Sequence, residues 1–306
     1  MSLKESLKHG MFRFMRPGLV DVTHRLERIE LTLSEVKSGA GSKNAFGQWR
    51  GGLHGHAVDA HGRHLPHLTA KYRDELAFWQ HLVKHDAKRA LGGTFEEVYG
   101  RWQRERLDEL ASFLGLRGAG ELASWCAARS VVEIGAGPYP SIAAAHWKRA
   151  VAIDPLADGY TSEDLLPKDC FCDEVTYLAS PGESVPLPSG FADIVVIENC
   201  LDHVDEPRAV VKEIWRLLKP GGMMWLLVDL MNYSDHMHPN PFSEVTLRAL
   251  LASEGYGVVK DRISDHKSHP QAYGEYRGLL VKPHAASENT PAVVEVPIAR
   301  REHAHA

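Results

Sequence analysis

The stretch VVEIGAGPYP, residues 131–140, places Glu133 two positions before the glycine pair Gly135 and Gly137, directly after two β-branched residues. A glycine-rich turn between a strand and a helix lets the backbone come close to a nucleotide-like ligand. A dinucleotide site would continue to a third glycine, but Pro140 stands there, and the acid would repel a pyrophosphate. The loop therefore favours a ligand that carries an ammonium and a sulfonium.

Two further groups of polar residues have types that suit proton transfer. The segment ENCLDHV places Asp202 and His203 directly after an apolar run, and the segment DLMNYSDHMHPNP contains Asp235 and His238. A histidine has an ordinary pKa near 6.5, which suits removal of a proton from a hydroxyl at neutral pH. The alternative is that His203 has only a structural role and that the segment with Asp235 and His238 is an ordinary polar loop before a helix.

The elements that must position these residues are short apolar runs alternating with helical patterns between residues 130 and 282. Such alternation predicts an α/β fold with a doubly wound, mostly parallel, seven-stranded sheet and a helical N-terminal extension. The carboxyl ends of parallel strands meet at one edge, so we expect the glycine loop and the histidines to share one crevice. The predicted strands are SVVEIG, AVAID, EVTYLA, ADIVVIEN, GGMMWLLVDLM, YGVVKDRIS and EYRGLLVKP.

Several motifs in this order resemble those of the class I S-adenosylmethionine-dependent methyltransferases of the small-molecule type. VVEIGAGP matches the first motif, VAIDP ends the second strand with Asp154, and EIWRLLKPGGMMWLLVD matches the helix, tight turn and fifth strand. The resemblance covers about residues 95 to 283. It implies a Rossmann-like fold and S-adenosyl-L-methionine as the cofactor.

The resemblance also implies roles for individual residues. Asp154 would accept hydrogen bonds from the ribose hydroxyls, and Glu133 would help to orient the methionine part. The adenine loop departs from the family, because Pro181 stands where many relatives have an aspartate. The backbone amide of Gly182 and the carboxylate of Glu183 could still serve there. The implied cofactor contacts are Glu133, Gly135, Ala136, Gly137, Asp154, Gly182, Glu183 and Asn199.

The implied chemistry is an in-line displacement that gains from alignment of the reactants and exclusion of water. The candidate catalytic residues are His203, His238 and Asp202. Some relatives carry an acid, an acid and a histidine at the places of Asn199, Asp202 and His203 and bind a divalent metal with them. Asn199 removes a charge from such a site, so no metal is predicted.

The predicted function is methyl transfer to a small-molecule or saccharide acceptor, with oxygen as the favoured acceptor atom. The alternatives are N- or C-methylation of a metabolite, or a non-catalytic scaffold that binds S-adenosylmethionine. The formal net charge of −5 gives no global attraction for phosphate backbones, so no nucleic acid partner is predicted.

The rest of the chain predicts accessory segments. Heptad spacing over residues 19–36 lasts about two and a half heptads, which fits either homo-oligomer formation or a helix docked on its own domain. The N-terminus lacks a secretory apolar region and no apolar run could span a bilayer, so we expect a cytoplasmic protein without an integral membrane segment. Thr94 and Glu97 predict a capping box at a helix start. The predicted segments are an N-terminal helix (1–37), a Gly/Ser/His-rich linker (38–67) with five histidines in 54–67, a helical cap (68–115), the methyltransferase domain (116–284) and a disordered tail (285–306).

Overall fold

The computed structural model describes residues 66–86, 92–166, 175–266 and 268–284. The heptad segment at 19–36, most of the histidine-rich segment and the tail at 285–306 lie outside the described residues. Predictions on those segments therefore stay predictions.

Seven strands form one sheet in the order β3-β2-β1-β4-β5-β7-β6. The ladders β3-β2, β2-β1, β1-β4 and β4-β5 are parallel, and β7 runs antiparallel to both β5 and β6. The predicted doubly wound, mostly parallel sheet is confirmed, and the strand order reverses between β1 and β4, where such sheets open a crevice. The strands are β1 (Ser130–Ile134), β2 (Arg149–Asp154), β3 (Val175–Ala179), β4 (Ala192–Glu198), β5 (Leu218–Leu230), β6 (Gly257–Ser264) and β7 (Gly274–Val281).

The helices begin at the signals that the sequence carries. Thr94 Oγ1 accepts from the Glu97 backbone N–H at 3.2 Å, and the Glu97 carboxylate accepts from the Thr94 N–H at 2.9 Å, which confirms the capping box. Ser243 caps the last helix, because its side chain accepts from the Thr246 backbone N–H. The helices are α1 (Pro66–His81), which a π-helical turn (Leu82–Asp86) follows, α2 (Phe95–Leu114), α3 (Gly118–Ala127), α4 (Ala157–Ser162), α5 (Pro207–Leu217) and α6 (Glu244–Ser253).

The prediction of a helix after the glycine loop is wrong, because only a 3₁₀ turn (Ser141–Ala144) lies between the loop and β2. Pro138 and Pro140 delay any helix start, and β2 already begins at Arg149. Too few residues remain for a helix that could cross the sheet.

Helices from other parts of the chain cover both faces of the sheet. On one face, α5 and α6 bury residues such as Val210 and Leu247 against the strands. On the other face, α2 takes the place of the missing crossover helix and packs Leu107, Leu110 and Phe113 on the sheet. Helix α3 adds Leu122 and Cys126 to the same cluster, and α1 packs Leu76 against Tyr160 of α4. None of the helices in the described ranges has the length and apolar character needed to cross a membrane.

Candidate functional site

A cavity of about 630 Å³ opens at the carboxyl ends of β1, β2 and β4, and α1 and α2 close its outer side. The structure brings all the sequence-predicted site residues to its wall. These residues are Glu133, Gly135, Ala136, Gly137, Asp154, Gly182, Glu183, Asn199, Asp202, His203 and His238.

The glycine loop is shaped by contacts within the protein. Gly135 and Gly137 have φ angles of +70° and +59°, which disfavour residues with a side chain. A Cβ on Gly135 would lie 2.1 Å from Cys200 Sγ. The backbone N–H groups of Gly135 and Ala136 both donate to the Ile153 carbonyl, at 2.9 and 3.2 Å. These N–H groups are therefore not presented to a phosphate, in agreement with the prediction that the loop does not hold a pyrophosphate.

Glu133 has a structural role that sequence reasoning missed. Its two carboxylate oxygens accept from the backbone N–H groups of Ser141 and Ile142, each at 3.0 Å. Burial, and then the charge of Glu198, raise the pKa of Glu133 to about 8. Glu133 thus holds the 3₁₀ turn in place at the same time as it lines the cavity.

Asp154 is tied to the backbone in a similar way. Its Oδ2 accepts from the Gly137 N–H at 2.9 Å and its Oδ1 accepts from the Leu156 N–H at 2.8 Å. Burial raises the pKa of Asp154 to about 6. A carboxylate oxygen can accept two hydrogen bonds, so both oxygens keep capacity for two hydroxyls of a ligand.

The loop after β3 approaches the cavity through Gly182 and Glu183. A Cβ on Gly182 would lie 2.7 Å from Ile134 Cγ2, so the missing side chain lets this loop pack on β1. Glu183 Oε1 accepts from the backbone N–H groups of Asp205 and Glu206, at 3.1 and 3.3 Å. Glu183 therefore connects this loop to the start of α5.

A cluster of histidines and aspartates forms the other half of the wall. His203 and His238 have ring centroids 4.3 Å apart, and His238 Nδ1 lies 2.9 Å from Asp235 Oδ1. The ring of His269 lies 4.6 Å from that of His238, and its Nε2 is 3.7 Å from Asp235 Oδ2. Sequence reasoning singled out the loop of Asp235, but it missed His269, which lies after β6 in a segment without a chemical pattern.

Three polar atoms of this region are buried and have no hydrogen-bond partner among the described residues. They are Asn199 Oδ1, Asp202 Oδ1 and His203 Nδ1. The Asn199 amide N–H₂ donates to Ser268 Oγ, so its oxygen is the free end of that side chain. Such atoms are costly to bury unless a ligand completes their bonding.

The protonation states in this cluster follow from burial and from neighbouring charges. Burial lowers the pKa of His203 well below its ordinary value and raises the pKa of Asp202 to about 6. Burial is the largest single influence on His238 and acts to lower its pKa, but the hydrogen bond to Asp235 and the charges of the surrounding aspartates together outweigh burial and leave that pKa raised. His203 is therefore neutral at neutral pH.

Residues outside the predicted set complete the wall. Arg106 of α2 pairs with the buried Glu198 at 2.8 Å, and Glu198 also accepts from Ser141 Oγ at 2.6 Å. Lys71 of α1 donates to the His203 carbonyl and lies 3.6 Å from the Asp205 carboxylate. Glu198 lies at the end of a predicted strand, so its position at the cavity could have been inferred from the sequence. Nothing in the sequence pattern of α1 or α2 identifies Lys71 or Arg106 as cavity residues.

The lining fits S-adenosylmethionine. Buried carboxylates at Glu133, Asp154 and Glu198 suit a cation, and the unpartnered Asn199 Oδ1 suits an N–H or O–H donor. The N–H groups of Gly135, Ala136 and Gly137 already donate to protein oxygens, so the loop offers a pyrophosphate little.

Comparisons with known proteins give a consistent result. Residues 132–226 match the family model of a methyltransferase domain. An uncharacterized methyltransferase of Mycobacteroides abscessus is 27% identical over 97 residues, which are 31% of this chain and 38% of that protein. The ubiquinone/menaquinone biosynthesis C-methyltransferase UbiE of Vibrio campbellii is 30% identical over 64 residues, which are 21% of this chain and 25% of that protein.

The matched regions span less than half the length of these curated relatives. Among solved structures, the 1,6-didemethyltoxoflavin-N1-methyltransferase of Burkholderia thailandensis, with bound 1,6-didemethyltoxoflavin and S-adenosylhomocysteine, is 17% identical with a TM-score of 0.47. That match covers 71% of this chain and 89% of the other.

Proposed function

We propose that this chain, whose residues 132–226 form a methyltransferase domain of the S-adenosylmethionine-dependent class, transfers a methyl group to an oxygen of a small-molecule or saccharide acceptor. The observation that carries the proposal is the two-part wall of the cavity. One part consists of carboxylates held at strand ends, and the other is a histidine cluster with unpartnered buried atoms.

The residues of the first part would hold the cofactor. Asp154 would accept from the ribose hydroxyls, because both its oxygens keep hydrogen-bonding capacity. Glu133 would act on the methionine part mainly through its charge, since its oxygens already fix the 3₁₀ turn. When bound, S-adenosylmethionine supplies an electrophilic methyl group. The other proposed contacts are Gly135, Ala136, Gly137, Gly182, Glu183 and Asn199.

The histidine cluster would take the proton of the acceptor hydroxyl. His203 is neutral at neutral pH and its buried Nδ1 has no partner within the described ranges, so this atom is able to accept a proton. The hydrogen bond to Asp235 orients the ring of His238. Asp202 lies 4.0 Å from His203 Nε2, where its charge would stabilise the protonated ring.

Aromatic side chains of α1 and α2 enclose the remaining wall. Trp79, Tyr99 and Trp102 line the cavity and form edge or tilted contacts with one another. Enclosure of this kind excludes water from a displacement reaction. The cavity volume of about 630 Å³ lies within the range of about 300–1,000 Å³ that is usual for small-molecule sites, which favours a small acceptor or the end of a saccharide.

A carbon acceptor is the second candidate, because one matched relative is named as a C-methyltransferase. Removal of a proton from an acidic C–H or an enol would use the same cluster. The identity of the bond formed separates the two candidates.

The test begins with calorimetric titration of the purified chain with S-adenosylmethionine and, separately, with NAD. We expect micromolar binding of the first alone. A screen of sugars and phenols with a carbon-13-labelled methyl donor then follows, in which the chemical shift of the product methyl distinguishes O-, N- and C-methylation. Binding of S-adenosylmethionine without turnover of any acceptor would favour a scaffold protein. Binding of neither S-adenosylmethionine nor NAD would refute the proposal.

A further inference from the structure

Three side chains of the histidine cluster converge on one point. Asp202 and His203 follow β4, and His238 lies in the loop after β5. Each offers one ligand atom, and these three atoms all lie within 4.8 Å of one another. We propose that Asp202, His203 and His238 bind one divalent transition-metal ion. The binding stands by itself, and only the role of the ion rests on the proposed function.

Two of the three ligand residues have unused bonding capacity. Asp202 is only 2% exposed, and its Oδ1 has no hydrogen-bond partner in the part of the chain that the structure describes. The same holds for His203 Nδ1. Buried polar atoms in proteins are almost always paired, so two unpaired atoms in neighbouring residues of one cluster indicate a missing ligand. A cation would complete the bonding of the carboxylate oxygen and of an imidazole nitrogen.

The third ligand, His238, is oriented as a metal-binding histidine. Asp235 Oδ1 accepts backbone N–H groups from Met237 and His238, each at 2.8 Å, so this carboxylate acts as an acceptor. His238 Nδ1–H, at 2.9 Å, therefore donates a hydrogen bond to Asp235, and in the neutral ring the lone pair is on Nε2. A carboxylate that holds the second nitrogen of a ligand histidine is the usual support of metal sites in proteins.

His269 and Asp235 form a second, overlapping group with His238, but they are less suited to be ligands. His269 Nδ1 accepts from the Gln271 N–H at 3.2 Å, so a neutral ring carries its proton on Nε2, which faces Asp235. Asp235 Oδ1 already accepts three bonds. These two residues thus support His238 and leave the coordination to Asp202, His203 and His238.

The donor set indicates the kind of metal. Two imidazoles and one carboxylate suit ions such as Zn²⁺, Co²⁺, Fe²⁺ or Ni²⁺, whereas Mg²⁺ and Ca²⁺ prefer oxygen ligands. The sequence predicted no metal because Asn199 replaces an acid, and the Asn199 amide is indeed turned toward Ser268. His238, from a different loop, supplies the third ligand instead.

Three protein ligands leave coordination positions for an acceptor oxygen. An ion there would lower the pKa of the acceptor hydroxyl. The O–H bond would break with release of its proton to water, and the electron pair left on the oxygen would form the new bond to the methyl carbon. The methyl–sulfur bond would break at the same time, with its electron pair staying on sulfur, so that the cofactor leaves as the neutral thioether S-adenosylhomocysteine. In that case the metal ion does the work that the proposed function gives to the bare imidazole of His203.

The experiment is a titration of the full chain, stripped with EDTA and dialysed, with CoCl₂. Cobalt binding is followed by its visible absorption and by calorimetry, and Zn²⁺ is added as a competitor. We expect one tight equivalent that Zn²⁺ displaces. The variants Asp202→Asn, His203→Gln and His238→Gln should each weaken the binding at least about 100-fold, because each removes a direct ligand. Asp235→Asn should weaken it by about 10-fold to 100-fold.

The matched control is His236→Gln. His236 lies in the same loop as His238, but its Nε2 is 3.0 Å from Asp74 and it belongs to neither candidate group. This variant should bind cobalt as the unchanged protein does. If His203→Gln and His238→Gln bind as tightly as His236→Gln, the ion belongs to others of the 18 histidines, and the inference is overturned.

Absence of a tight equivalent in the unchanged protein would also overturn the inference. Circular dichroism identifies any of the four substituted proteins that fails to fold. The cobalt affinities of those that do fold then decide whether the cluster binds the ion. S-adenosylmethionine binding is measured in parallel on the EDTA-treated protein. If the protein binds S-adenosylmethionine but not cobalt, the metal site is refuted and the proposed methyl transfer is not. If it binds cobalt but not S-adenosylmethionine, the metal site is supported and the proposed methyl transfer is refuted.

Discussion

The two halves of the cavity differ in how their polar atoms are bonded. In the half that we propose binds the cofactor, called the cofactor half, both oxygens of Glu133 and of Asp154 accept backbone N–H groups. In the half that we propose receives the acceptor, called the acceptor half, Asp202 and His203 each keep a buried atom without a partner among the described residues. The polar atoms of the cofactor half are therefore part of the scaffold, whereas those of the acceptor half keep hydrogen-bonding capacity for a ligand.

This difference has a consequence for substitutions. A change in the cofactor half should alter folding and binding together, because the same carboxylates and glycines hold the loop. A change in the acceptor half should alter the reaction and leave the fold intact.

Gly135→Ala should abolish cofactor binding and lower the free energy of unfolding by about 2–5 kcal/mol, from a clash and a left-handed backbone angle. The added Cβ would lie 2.1 Å from Cys200 Sγ. Gly190→Ala is the matched control, because Gly190 also has a positive φ, +68°, but no atom lies within 4 Å of an added Cβ. The control should cost only about 1–2 kcal/mol. Urea unfolding and calorimetry measure both, and equal losses would contradict the assigned contact.

His203→Gln should lower turnover by about 10²-fold to 10⁴-fold, because the group that handles the acceptor proton is lost. The dissociation constant of S-adenosylmethionine should change less than about threefold, since the cofactor half is intact. Steady-state kinetics on an acceptor from the screen, together with calorimetry, separate the two quantities. A variant that loses cofactor affinity as strongly as turnover would show that the two halves do not act separately.

Asp154→Ala should weaken cofactor binding by about 1–3 kcal/mol through the loss of charge-assisted hydrogen bonds. It should also lower the melting temperature, because the Gly137 and Leu156 N–H groups lose their acceptor. Asp154→Asn keeps one oxygen acceptor and should show a smaller loss of both. An unchanged dissociation constant for Asp154→Ala would mean that the ribose acid is assigned wrongly.

Cofactor affinity should rise with pH between 6 and 7.5, by up to about tenfold per pH unit for each proton released on binding. Burial raises the pKa of Glu133 to about 8 and that of Asp154 to about 6, so at the lower pH both groups carry more protons in the free protein. A cation binds the charged carboxylates better, and the affinity therefore increases as these protons are lost. S-adenosylhomocysteine, which lacks the sulfonium charge, should show a weaker dependence. Calorimetry in buffers of different ionisation enthalpy counts the protons, and equal slopes for the two ligands would contradict this explanation.

The cofactor half was largely predictable from the sequence because it depends on local features. Alternating apolar runs predict the strands, and the glycine pair after β1 predicts the loop. The role of Glu133 in fixing the turn at Ser141 and Ile142 could not be predicted. It depends on a 3₁₀ turn that replaces the expected helix, and on a carboxylate that lies eight residues before that turn.

The acceptor half was predictable only in its parts. His203 and His238 were candidates because of their residue type and their place after strands. Their approach to 4.3 Å, and the support from Asp235 and His269, depend on how the loops after β4, β5 and β6 fold over the sheet edge. These contacts join residues that are far apart in the sequence, so no local spacing of residues predicts them.

The replacement of the crossover helix by a 3₁₀ turn also determines the smallest unit that can be produced by recombinant expression. The apolar face around Trp225 is covered by Phe113 of α2, which lies upstream of the matched region 132–226. A fragment that begins at β1 would leave this face open to solvent and should aggregate. An autonomous folding unit therefore has to include the chain from the cap at Thr94 onward.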